Sequence, residues 1–170
     1  ENRLANLRYA GQFEWGTLDL RVFDQDTRHA MDMGDDRFFY GFGMPMDSES
    51  TNRGAHSKAS IELSERHTLG VGGEYLTYRL DDWWSPVGAS GSMCCEKFWN
   101  VRDGEQGRLG VYGEWQARWS PQWLSLVGAR VDRVASDAGD VQGYNDTMAM
   151  WSADAAAFNA RDHRRTDTHV

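Results

Sequence analysis

The run His29-Ala-Met31-Asp-Met33 has the residue types and spacing best suited to chemistry. An imidazole nitrogen and soft thioether sulfurs together suit copper, Cu(I) above all, because thioethers favour soft ions over hard ones. On an extended chain alternate side chains share a side. His29, Met31 and Met33 then point one way, and two or three of them can approach a single ion. Met44-Pro45-Met46 and the later Met148 and Met150 repeat the soft-donor chemistry. For those outer pairs the better account is packing of loop against loop by a flexible apolar side chain, and packing competes for His29 and Met31 as well. Cys94 and Cys95 are adjacent, and a disulfide between neighbours is strained. They read as two loop thiols or as one disulfide to a part of the protein outside this chain; ligation of a metal beside Met93 is the less favoured role.

Other residues invite ligand binding without fixing it. Phe38-Phe39-Tyr40, Asp82-Trp83-Trp84 and Trp151 can stack a flat or aromatic ligand, or simply pack on one another. Asp32, Asp35 and Asp36 can draw cations to a binding mouth, or form a solvated surface. Catalysis finds no support: there is no Ser-His-Asp order, paired-carboxylate pocket, phosphate loop or Cys-rich zinc spacing. No catalytic residue and no catalytic cofactor is expected. A net charge of −8, with no basic cluster before the Arg-rich end, argues against a nucleic-acid partner.

The elements that must position these residues are strands. From Gly107 to Trp119 one side carries Leu109, Val111, Gly113, Trp115, Ala117 and Trp119, while the other carries Gly110, Tyr112, Glu114, Gln116 and Arg118. Period-two alternation puts the sets on opposite faces, one suited to hydrocarbon and one to water, as in an outer-membrane β-barrel. The same grammar recurs as strand, short turn, strand, long loop. Leu4 to Trp15 turns at Glu14-Trp15-Gly16-Thr17 into a strand with Leu18, Leu20 and Val22 outward and Asp19 and Arg21 inward. A segment beginning near Ala55 turns at Ser64 to His67 into one that starts at Leu69, although Leu76 and Leu80 blur the polar face of that return. The Gly107 strand turns at Ser120-Pro121-Gln122 into Trp123 to Val134, and a seventh strand is expected near Ala160. Strands of about 10 to 12 residues cross the hydrocarbon at a tilt.

Between hairpins lie long polar segments, about Thr27 to Arg53, Asp81 to Gln106, and the stretch reaching about Asn159. Short turns on one rim and long loops on the other match periplasmic and extracellular sides. A soluble barrel or sandwich also alternates, but its connections are shorter. Trp15, Trp119 and Trp123 near the turns, with Tyr78, Trp83 and Trp84 near the other ends, predict two interfacial girdles. Arg8, Glu14, Arg21, Lys58, Glu62, Glu74, Glu114, Arg118, Arg130 and Asp132 are assigned to a hydrated inner wall. No run approaches 18 apolar residues, so a transmembrane helix is excluded. A mean hydropathy of −0.68 fits interleaved barrel strands as well as a soluble domain.

The segment from Leu109 to Trp115, followed by Trp123 to Asp132 with its Gly-Ala-Arg-Val-Asp ending, resembles TonB-dependent receptors. Thr68 to Tyr75 looks like another such strand, and Phe158 to Val170 resembles a strand start in the copper-receptor subgroup. The resemblance implies a large barrel, of about 22 strands, with an N-terminal plug that imports scarce metals or metal chelates. Residues 1–170 are then expected to be a partial barrel domain: six or seven antiparallel transmembrane strands from within a longer protein, all-β, with the plug and TonB-contacting segment outside the chain. The resemblance also implies the outer membrane of a Gram-negative bacterium, with outer-membrane lipid, the TonB complex, the protein's own plug and a metal ion or chelate as partners. The subgroup carries a barrel His-x-Met element that helps bind copper, and His29 and Met31 match it. Met33 goes beyond that element, and the subgroup's plug Cys and Met lie outside this chain. Copper is thus the expected cargo; a ferric siderophore is the alternative, and a barrel enzyme such as a phospholipase or protease the more remote one.

Overall fold

The computed structural model describes residues 1–31, 45–86, 97–142 and 155–170. They form one antiparallel meander in which each strand pairs with the next: β1 Asn2–Phe13, β2 Gly16–Met31, β3 Met46–Ser64, β4 His67–Trp84, β5 Phe98–Ser120, β6 Trp123–Asp137 and β7 Arg165–His169. Two-residue turns, Glu14-Trp15, Glu65-Arg66 and Pro121-Gln122, close the lower rim. Gly16 makes the first turn possible. Its φ is +136°, and a Cβ there would lie 1.9 Å from the Ser60 carbonyl oxygen.

The register sorts side chains into rows that run across the sheet. On one face Leu7, Val22, Ala55, Tyr75 and Leu109 align, and below them come Tyr9, Leu20, Ser57, Gly73, Val111 and Val131. Two further rows end at Phe13, Gly16, Ile61, Leu69, Trp115 and Val127. From Leu7 to Phe13 this apolar band covers about 20 Å of strand at about 3.3 Å per residue. The band is not a core. Leu7 is 70% exposed and Val127 62%, while Ala117 is the buried hydrophobic residue among those described. A soluble sheet would cover such a face, since contiguous apolar patches of this extent are rare on soluble monomers.

The opposite face is mainly polar, with Leu4, Leu124 and Leu126 exposed near its ends. Arg8 pairs with Asp19, and Arg21 donates to Asn6 at 3.2 Å. Leu76, which blurs the alternation of β4, lies beside Phe23 over Gly54 on this face. Below the band, Trp119 Nε1 donates to Ser125 Oγ at 2.9 Å, and His67 stacks on Trp115 with centroids 5.5 Å apart. The tryptophans expected near the turns are there, with Trp15 and Trp123 exposed.

Several expectations need correction. Five of the seven strands run past 12 residues, to 19 in β3 and 23 in β5, so the first two polar segments begin later and end earlier than the alternation suggests. The β2–β3 ladder is unbroken from Asp24↔Arg53 to Met31↔Met46. There both faces are polar and no period-two hydrophobic signal exists, but cross-strand pairs take over: Asp24–Arg53 at 2.5 Å, Thr51 Oγ1 to Asp26 at 3.1 Å and Arg28–Glu49 at 3.5 Å. The seventh strand starts at Arg165, not near Ala160, because one helical turn over 155–159 comes first. Glu14 sits in a turn instead of on the inner wall. The upper girdle is not where it was expected. Tyr78 pairs with Asn52 and Gln106 on the polar face, and Trp84 lies on that face opposite Met46; Trp83, paired with Trp99, stays on the face of the apolar band above the charged row.

Candidate functional site

His29 and Met31 end β2, and both fall on the polar face. His29 is exposed and sits opposite Ser48; Met31 is the last residue of the strand and sits opposite Met46. Directly opposed residues hold their Cβ atoms about 5 Å apart. The sheet therefore brings an imidazole and two thioethers to one patch, supplied by two strands. Met46 is pinned from its other side. Ser85 N donates to the Pro45 carbonyl at 2.8 Å, the Ser85 hydroxyl bonds Asp47, and Trp84 lies opposite Met46 on β4.

Chemically this patch can hold a soft, low-coordinate ion. Among the described residues no three His, Cys, Asp or Glu side chains converge, so a hard-ligand cage is not formed there. Of the residues singled out from the sequence, His29 and Met31 lie two residues apart on one face of β2. Met33 lies outside the described residues, as do Asp32, Asp35, Asp36, Phe38, Phe39, Tyr40, Met44, Met93, Cys94, Cys95, Met148, Met150 and Trp151. Met46, which the sequence suggests is packing, is the thioether that the register sets opposite Met31. Only the register reveals it, because nothing in Met44-Pro45-Met46 says that residue 46 meets residue 31.

Trp83, considered as a stacking platform, is engaged within the sheet. Lys97 Nζ lies 4.0 Å from the centre of its ring and Trp99 5.5 Å from it. On the opposite, polar face and nearer the turns, Glu74, Arg108, Arg130 and Asp132 make one ion cluster across β4, β5 and β6. Arg108 reaches Glu74 at 3.1 Å and Asp132 at 3.0 Å; Arg130 reaches Asp132 at 2.6 Å and also bonds Glu74. Glycines make this fit possible: a Cβ on Gly110 would lie 2.5 Å from Arg130 and Asp132, and one on Gly72 2.5 Å from the Tyr112 ring. Arg108 was not among the inner charges read from the sequence, although its place two residues before Gly110 on a strand gives it the same face.

Above the strands, His163 fastens the segment between β6 and β7. Its ring nitrogens lie 2.7 Å from the Ala138 carbonyl and 2.8 Å from that of Phe158, whose ring stacks on the imidazole. Those two carbonyl oxygens hold the His163 pKa above its usual value, with Asp140 and Asp137 adding to the effect. Asn159 completes the clasp by bonding both backbone groups of Val141.

A family described as TonB dependent receptor-like, beta-barrel matches residues 1–164. No curated protein matches the chain at significance. Among solved structures, one described as "Copper transporter OprC" superimposes with a TM-score of 0.74 at 15% identity. The match covers 99% of this chain and 26% of that one, so the chain spans about a quarter of that structure's length. At such identity the likeness concerns the fold alone.

Proposed function

Because the chain belongs to the TonB-dependent receptor family, we propose that it forms part of the barrel wall of an outer-membrane importer whose cargo is copper. The observation that carries this reading is the meeting of His29 and Met31 with Met46 at the upper end of the β2–β3 ladder. Two thioethers and an imidazole select a soft cation over the harder ions that outnumber it, and Cu(I) is the biological ion that fits best. A fold neighbour that is itself a copper transporter lends support.

In this reading the apolar band meets lipid chains and the polar face lines the barrel interior, because a strand in a bilayer must separate the two. Copper is captured at the upper loops and passes to the His29/Met31/Met46 patch. It is released inward when the TonB machinery moves a plug domain supplied by the rest of the protein. The chain provides capture and a wall; it carries no catalytic step.

Copper titration of the full-length receptor, wild type against His29→Ala/Met31→Ala, tests this. A clear loss of affinity is expected, and equal binding would remove copper as the cargo. A second reading has one observation in its favour: Lys97 over Trp83 and Arg102 over Trp99 give a basic, aromatic surface suited to an acidic ferric chelate. Growth on candidate siderophores under iron starvation tests that reading.

A further inference from the structure

The apolar band has an upper boundary, and the residues there are specific. Two residues above Tyr75, Leu109 and Arg133, the next row across the sheet is Thr77, Gly107, Ala135 and Thr166. The row above that is Thr51, Arg79, Glu105 and Asp137. The small middle row forms the floor of a groove of about 470 Å³, with Tyr75 on its lower wall, Arg53 at one end, and Arg79 and Arg164 on its upper side. No atom lies within 4 Å of where a Cβ on Gly107 would be, so the floor is open at its middle. Arg133 sits one row below, level with Leu109, and has no ion-pair partner among the described residues.

From this geometry we infer that the groove binds the phosphate group of a phosphorylated membrane lipid, whose acyl chains lie on the apolar band beneath. The inference rests on the reading of that band as lipid-facing. A lipid whose chains cover Tyr75, Leu109 and Val131 must place its headgroup one or two rows higher, where the arginines stand. The existing ion pairs there oppose this weakly. Arg79 meets Glu105 at 2.9 Å and Arg164 meets Asp137 at 3.2 Å, but both arginine side chains are more than 70% exposed. Exposed pairs of this kind contribute little, so a guanidinium can turn to a phosphate at small cost. What it gains is a planar, two-point hydrogen-bonded contact with a more highly charged anion. Arg133 gives up no partner at all. Hydroxyls of Thr77 and Thr166 on the floor supply further donors.

The test uses the full-length receptor in an uncharged detergent, titrated with diphosphoryl lipid A and followed by native mass spectrometry. Separate arms use monogalactosyl diacylglycerol, which has acyl chains but no phosphate, and inorganic phosphate alone. Wild type should hold lipid A about tenfold more tightly than Arg79→Gln/Arg133→Gln, the loss expected when charged hydrogen bonds to one group are removed. The galactolipid should not distinguish the two proteins. Equal retention of lipid A by both, or an equal preference for the galactolipid, overturns the inference; saturable binding of inorganic phosphate alone removes lipid as the occupant. Failure of the lipid-facing reading has a separate signature: neither protein would float with phosphatidylcholine vesicles in a density gradient.

Discussion

Met31 and Met46 face each other across the last rung of the β2–β3 ladder, with His29 on the same face two residues down. A methionine that only filled space would be replaced by leucine at little cost, because the volumes match. A methionine that donates sulfur to an ion would not. Met46→Leu in the full-length receptor should therefore leave thermal stability unchanged while weakening Cu(I) binding by roughly tenfold, about 1.4 kcal/mol. Competition against a chromogenic Cu(I) chelator measures it. An unaltered affinity would return Met46 to the role of filler.

Gly16 separates a hairpin that can form from one that cannot. Its φ of +136° and the Ser60 carbonyl oxygen at 1.9 Å from any Cβ leave no relief, since the obstructing atom is backbone. Left-handed strain alone costs about 1–3 kcal/mol, and displacement of β3 adds to it. Gly16→Ala should lower the urea midpoint of the refolded receptor sharply. Gly113→Ala, on a strand position with no atom within 4 Å of the added Cβ, should leave the midpoint nearly unchanged. Equal midpoints for the two variants would show that the first turn is not built as described.

The contrast between those glycines shows what could be read in the chain. Where one face meets apolar surroundings, as from Leu109 to Trp119, alternation gave the strands, their faces and the turns almost residue by residue. Above Asp24 and Arg53 both faces are polar, and the ladder is held by side-chain pairs between positions far apart in sequence. Periodicity has nothing to report there, so alternation stops short of the strand ends. His29 and Met31 were legible because they are near neighbours on one strand. Met46 was not, since its role depends on which residue of β2 it meets.

Arg130 bridges Glu74 and Asp132, and Arg108 bridges the same two carboxylates. Such a cluster should not behave as four separate pairs, because each acid has two partners and each arginine two acids. Arg130→Met should lower the urea midpoint, and Asp132→Asn should cost less in that background than in wild type. Raising the salt concentration should shrink the difference, as expected for a hydrated wall. Strict additivity of the two substitutions would mean that the cluster is a set of independent surface contacts.

His163 sets a pH dependence on the segment above β6. Both ring nitrogens face carbonyl oxygens, of Ala138 and Phe158. A neutral imidazole has one N–H and can satisfy one of them; the imidazolium donates to both. Asp137 and Asp140 also favour the cation. The folded pKa thus lies above the ordinary value of about 6.5, so the stabilisation is complete below that pH and fades as pH rises through the folded pKa. Amide protection at Val141, whose N–H bonds the Asn159 side chain at 2.9 Å, reports whether the clasp is closed. After correction for the intrinsic exchange rate, protection should fall on going from acid to mildly alkaline pH in wild type. In His163→Gln, which has no titratable ring, it should be lower in acid and flat with pH. If both proteins lost protection along the same curve, the sensitivity would belong to the neighbouring carboxylates and His163 would be a packing residue stacked on Phe158.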